Sequence, residues 1–244
     1  MTDLTDPMFH DDAAARAHFE SLLWPNGPIC PHCGVTEGLT RMEGKSHRPG
    51  LFQCNACRGH FTIMNGSIME RSHVPLHKWA LAFHLMASSK KGMSAHQLHR
   101  MLKVNYRTAW FMEHRIRACM DNTKDTTPMG GEGTIVEIDE TFIGKKEGMP
   151  VQRGYAHKHA IMTLVERGGS ARSFHVDGTS AADLLPIIKR GMKGIYQHCW
   201  EKHLHRYVAE FDFRYSNRVR LGVDDTERTH RAIRGAKGKR LMYQ

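Results

Sequence analysis

Cys30-Pro31-His32-Cys33 and Cys54-Asn55-Ala56-Cys57 set two C-x2-C knuckles 20 residues apart. Knuckles at this spacing present four thiolates to one tetrahedral ion, the pattern of a structural zinc site. Four soft ligands leave no open coordination position, so the zinc reading is architectural rather than catalytic. An iron–sulfur or redox role is the competing chemistry for the same quartet. Tight pairs rather than a scattered framework argue for metal over disulfides. The remaining cysteines, Cys119 and Cys199, stand alone at helical positions and read as ordinary semi-buried thiols.

Upstream of the knuckles, residues 12–24 read as a short helix, with Ala15, Phe19, Leu22 and Leu23 at helical spacing and Pro25-Asn26-Gly27-Pro28 stopping it. Downstream, residues 75–89 suit a buried helix carrying Leu76, Trp79, Ala80, Phe83 and Leu85. Ser94 caps a helix over Ala95–Leu102, and after Lys103-Val104-Asn105 a second helix spans Tyr106–Met120. This pair has the layout of a helix-turn-helix whose second helix enters a major groove. On that reading Tyr106, Arg107 and Thr108 lie where recognition helices approach base edges, and Arg115 and Arg117 reach phosphates. The alternative is a plain helical hairpin with Trp110, Phe111 and Ile116 in its core.

Residues 121–133, rich in threonine and glycine, read as a linker, beyond which the apolar period changes from helical to alternating. Residues 135–143, 159–165 and 171–176 are β-rich and consecutive, which suggests a meander. Within the first of these strands Glu137, Asp139 and Thr141 share a face. A mid-strand aspartate is unusual, because an ionised carboxylate is costly to bury unless paired or metal-bound. Asp139 is therefore either a magnesium ligand of a two-metal phosphoryl-transfer site or an exposed edge-strand acid. A helix over Thr179–Lys189 follows, then a segment helical in its second half up to Asn217, and a weakly patterned tail from Arg218 to Gln244.

The chain's formal charge is +10 with a pI near 9.5. Residues 189–244 hold 14 Lys and Arg against 6 Asp and Glu, a balance of +8. Such a field favours a polyanionic partner. No apolar run approaches the roughly 20 residues of a membrane-spanning helix, and the N-terminus lacks a signal-peptide layout, so a cytoplasmic, nucleoid-associated protein with no membrane contact is expected.

The order of these parts resembles the ISXO-like insertion-sequence transposases. The resemblance is carried by the cysteine quartet, Gly66-Ser67-Ile68, Leu76-His77-Lys78-Trp79, Thr108-Ala109-Trp110-Phe111-Met112 and Val136-Glu137-Ile138-Asp139-Glu140-Thr141-Phe142-Ile143-Gly144. It extends to residues 189–196 and 203–215, and so covers nearly the whole chain. It implies a zinc ribbon ahead of a ribonuclease-H-like domain with a DDE-type (Asp-Asp-Asn-Lys) active site. By that resemblance Asp139 is the first catalytic aspartate, holding Mg2+ or Mn2+, and Lys189 matches the terminal lysine. The departure lies between them: Leu184-Leu185-Pro186-Ile187-Ile188 runs straight into Lys189, where the family places a strand with the second aspartate and a helix with the asparagine. Asp177 and Asp183 do not occupy the missing position, and read as a turn residue and a solvated helix residue.

The expected architecture is a multi-domain α+β chain: helix and zinc ribbon over 1–70, a helix-turn-helix-like segment over 71–120, a linker over 121–133, a truncated ribonuclease-H-like α/β domain over 134–190 and a basic helical segment over 191–244. The expected function is that of a transposase acting on transposon ends and target DNA, weak or inactive in catalysis, and working as a homo-oligomer or with intact transposase. The alternative is a non-catalytic zinc-ribbon DNA-binding protein that represses transposition.

Overall fold

The computed structural model describes residues 3–89, 92–121, 135–178 and 204–239. The chain divides into two compact units: Met1–Ser89, Met93–Cys119 and Asp225–Gln244 form the first, and Lys90–Gly92 with Met120–Asp224 the second.

In the first unit, α1 (Asp12–Leu23) starts where the Asp11 carboxylate accepts from the Ala14 amide at 2.7 Å, satisfying one of the orphan donors of a helix N-terminus. Its Ala15, Phe19 and Leu23 form one buried stripe. Strands β1 (Leu39–Met42), β2 (Leu51–Cys54) and β3 (His60–Phe61) make a small antiparallel sheet in that order. Helix α2 (Leu76–Ser88) is buried on most of its circumference, with Trp79, Phe83 and Met86 almost wholly enclosed. α3 (Ala95–Leu102) opens with a reciprocal capping box between Ser94 and Gln97 and closes at Lys103 with φ +50°. α4 (Tyr106–Met120) starts at Asn105, whose Oδ1 accepts from the Thr108 amide at 2.7 Å.

The second unit holds β4 (Val136–Ile143), β5 (His159–Glu166) and β6 (Ala171–Val176), an antiparallel meander in sequence order, as the three consecutive β-rich stretches suggest. β5 is central and buried along nearly its whole length. α5 (Leu204–Ser216) packs on one face, where Val208 and Tyr207 meet Ile143 and Ile161. On the other face Ala160, Met162 and Val176 pack with Phe142.

The tail carries more order than its weak patterning suggested. α6 (Asp225–Arg234) buries Arg228, Thr229, Ala232 and Ile233, with acidic residues in its first turn and arginines in its last, as the helix dipole favours. It belongs to the first unit: Thr229 Oγ1 lies 3.2 Å from His84 Nδ1, and Lys239 donates to the Ala118 carbonyl at 2.6 Å. Gly235 presses so closely on α4 that a Cβ there would sit 2.1 Å from the Cys119 carbonyl oxygen. The segment 191–244, expected as one piece, thus divides between the two units. The expected helix over Thr179–Lys189, with Asp183 and Lys189, lies outside the described residues, as does Cys199. Among the described residues no helix is long and apolar enough to cross a membrane.

Candidate functional site

The ribbon brings all four cysteine sulfurs within 4.8 Å of one another, with Cys30 and Cys54 buried and Cys33 and Cys57 exposed. Cys30 and Cys57 sulfurs lie 3.7 Å apart and Cys33 and Cys54 sulfurs 3.6 Å apart. A zinc tetrahedron with bonds of about 2.3 Å has sulfur–sulfur edges of about 3.8 Å, so these residues fit the ion. The thiols compete for charge. Cys54 is drawn down to about 7, chiefly by hydrogen bonding from the Cys57 amide with help from that of Ala56. Against the pull of the Val35 amide, desolvation and the neighbouring sulfurs push Cys33 up to about 12. A dication resolves that competition by favouring the thiolate at all four positions. Gly59 lets the second knuckle close, because a Cβ there would lie 2.8 Å from the His32 ring and 3.3 Å from the Cys57 sulfur. His32 itself points Nε2 to the His60 carbonyl at 3.4 Å. Among the described residues the quartet is the one group of three or more His, Cys, Asp or Glu ligand atoms close enough together to hold an ion.

The helix pair presents only some of its expected DNA-facing residues. Tyr106 is 46% exposed and stacks near His96, ring centroids 4.4 Å apart, and Arg107 is exposed and lies over Phe111. Thr108 is half-buried. The expectation that Arg117 reaches phosphates is corrected: at 1% exposure it pairs with buried Glu113 one turn earlier and donates to the Met93 carbonyl. Arg115 donates to the Ile68 and Glu70 carbonyls, tying α4 to the segment after the ribbon. Both arginines lie one helical turn or more into an apolar sequence, and nothing in their spacing distinguished a buried ion pair from a phosphate contact.

In the second unit Asp139 lies half-buried on β4, its Oδ1 accepting from the Glu140 amide at 2.8 Å. Glu137, on the same strand face, is engaged by Arg167 at 2.6 Å. Register places Asp139 opposite Thr163 and Thr163 opposite Ser173. From there a hydrogen-bonded path runs to α5: Thr163 donates to Ser173 at 2.9 Å, and the Ser173 hydroxyl and amide reach the two oxygens of Asp212 at 2.7 and 2.6 Å. Sequence reading passed over Asp212, whose one signal was an acid at the buried spacing of a helix between Phe211 and Phe213. Asp212 holds the hydroxyl and the amide of Ser173, and among the described residues no group of three or more ligand atoms gathers around Asp139. Asp177 is exposed just past β6.

Burial pushes the Asp212 carboxyl up to about 7, outweighing its two hydrogen bonds from Ser173. Because the folded value lies above the ordinary 3.8, the protonated group favours folding. That contribution is whole below the unfolded value and fades as pH rises towards the folded one. Asp212→Asn keeps an acceptor for the Ser173 amide and cannot ionise. We therefore expect it to unfold at a higher temperature than the parent chain at pH 8, with the difference closing towards pH 5. An equal difference at both values would refute this account of Asp212.

These features define a zinc-ribbon protein with a separate unit of three strands and a helix. Residues 10–60 match the family of the transposase zinc-ribbon domain. The chain is 27% identical over 222 residues to an uncharacterized protein in transposable element ISH50 of Halobacterium salinarum, an alignment covering 90% of this chain and 65% of that protein. The chain thus spans just under two thirds of its relative's length. No solved structure matches. Together the ribbon and the whole-chain similarity support an insertion-sequence transposase-like family.

Proposed function

We propose that this chain binds the ends of an insertion sequence through its ribbon and helix pair, and that its transposase chemistry is weak or lost. The observation that carries this reading is the tetrahedrally spaced quartet inside the segment that matches transposase zinc ribbons. The proposed interface uses Tyr106, Arg107 and Thr108 at the start of α4 for base edges, with the net charge of +10 attracting the phosphates. Arg115 is left at most a minor phosphate contact by its hydrogen bonds to the chain.

For catalysis the proposed assignments are Asp139 as first aspartate and Lys189 as terminal lysine of a partial ribonuclease-H-like unit. Two Mg2+ or Mn2+ ions, where bound, would activate the attacking oxygen and stabilise the leaving one. Without the family's second carboxylate such a site would hold them weakly, since a single carboxylate neutralises little of a dication's charge. The sequence between Asp139 and Lys189 is short of the family's second aspartate and asparagine. Partners in this reading are DNA, further copies of the chain and intact transposase, in the cytoplasm at the nucleoid. The alternative, a repressor that occupies transposon ends without cutting, is favoured by the absence of a ligand cluster around Asp139 among the described residues.

The test is incubation of the zinc-loaded chain with duplexes carrying the flanking terminal repeats, with magnesium or manganese, scoring retention and strand cleavage separately and beside Asp139→Asn. Retention without cleavage is expected, and affinity should fall with salt at a logarithmic slope of about −0.9 per phosphate contacted. Arg107→Ala should reduce that slope by about 1 if it meets a phosphate, or relax sequence preference if it meets a base. Metal-dependent cleavage lost in Asp139→Asn would overturn the loss of catalysis, and salt-insensitive retention would overturn the DNA interface.

A further inference from the structure

Beside the first zinc knuckle the first unit contains a cavity of about 440 Å³, within the range of small-ligand sites. Trp24 forms part of its wall and is held by edge-on contacts with Phe52 (5.6 Å, 90°) and Phe61 (6.0 Å, 81°). Asn65 is oriented from behind: its Oδ1 accepts from both the amide and the hydroxyl of Thr62, at 2.8 and 3.1 Å. That arrangement leaves the Nδ2 hydrogens as donors for a ligand. Glu70 adds an acceptor, its Oε2 steadied by the Gly66 amide at 3.3 Å. Across the cavity, Lys237 and Gly238 come from the segment after α6 and are fixed there by a β-bridge between Lys237 and Ser67. Lys237 is exposed and makes no ion pair among the described residues, and Gly238 has no side chain to fill the space.

The cavity therefore offers an aromatic wall, a fixed donor, an acceptor and an uncommitted cation. We propose that it receives one unpaired nucleotide of a DNA strand, the base lying against Trp24, Asn65 and Glu70 reading its edge, and Lys237 meeting the phosphate. A base with an exocyclic amine suits the Glu70 acceptor, and a ring acceptor suits the Asn65 donor. An aromatic platform with a nearby cation is the way proteins hold single-stranded bases. This rests on the DNA-binding reading above and extends it from paired ends to an unpaired position.

The experiment compares affinities, at fixed salt, for a fully paired duplex, the same duplex with one unpaired adenine or cytosine, and free dAMP or dCMP. The parent chain is expected to prefer the duplex with the unpaired base by about tenfold. Asn65→Ala and Lys237→Ala should each erase most of that preference while retaining zinc and the paired duplex. Trp24→Phe, which keeps an aromatic ring against Phe52 and Phe61, should weaken it by a smaller factor. Equal affinity for the two duplexes, or a preference that survives both alanine variants, overturns the pocket while leaving DNA binding in place. Competition by the free nucleotides at concentrations matching the duplex overturns the strand as the source. Failure to retain any DNA overturns the DNA-binding reading itself, and the pocket assignment with it.

Discussion

Stripping zinc is expected to unfold the ribbon outright. The buried cluster around the quartet consists of Cys30, Phe52, Cys54 and Phe61, with Trp24, Val35 and Leu39 partly covered against it. So small an apolar core cannot offset the ordering entropy of its loops, and the missing stability comes from metal binding, worth about 10 kcal/mol or more in comparable small sites. Purified protein should hold one zinc per chain. Chelation, or Cys54→Ser at a fully buried position, should expose Trp24 to water and shift its emission to the red, together with loss of the β1–β3 amide protection. Acidification should do the same, because protons displace metal from thiolates. A chain that keeps this protection after complete removal of metal would show that the quartet does not hold the ribbon together.

Replacing Arg117 with methionine is expected to cost about 3–5 kcal/mol, because it strands the Glu113 carboxylate in the interior. Glu113 is 3% exposed and Arg117 1%, so neither charge has water to fall back on. The double variant Glu113→Leu/Arg117→Met should recover most of that loss, since removing both charges removes the desolvation cost along with the pairing. Urea denaturation of the four chains of this cycle measures it. The same variants separate two roles: a phosphate-binding Arg117 would lose DNA affinity without losing stability, whereas a core ion pair loses stability first.

The ribbon was legible because metal chemistry dictates ligand type and spacing at short range, and the quartet needs little help from the rest of the chain. The helices from Asp12 to Met120 and the three strands were legible from periodicity and caps, as with Ser94 and its Gln97. What could not be read was anything decided across long sequence separation. α6 escaped notice because Ala232 and Ile233 are its few apolar residues and their partner α2 lies some 150 residues earlier. Asp212 escaped for a similar reason: its partner Ser173 belongs to another element, and a carboxylate held by a hydroxyl and an amide leaves no local signature. Arg117 was misjudged because a helix face shows which residues neighbour one another, not which side faces water.

The return of residues 225–239 to the first unit gives the chain a particular architecture of tolerance. The whole of Met120–Asp224 is an insertion whose two stems are anchored in a body that is closed without it, by Gly235 against Cys119 and by Lys239 against Ala118. Insertions rooted this way change length without disturbing their host. In a protein so built, residues can be lost from the inserted half while the metal-stapled host keeps its fold, so the two halves are free to change at different rates.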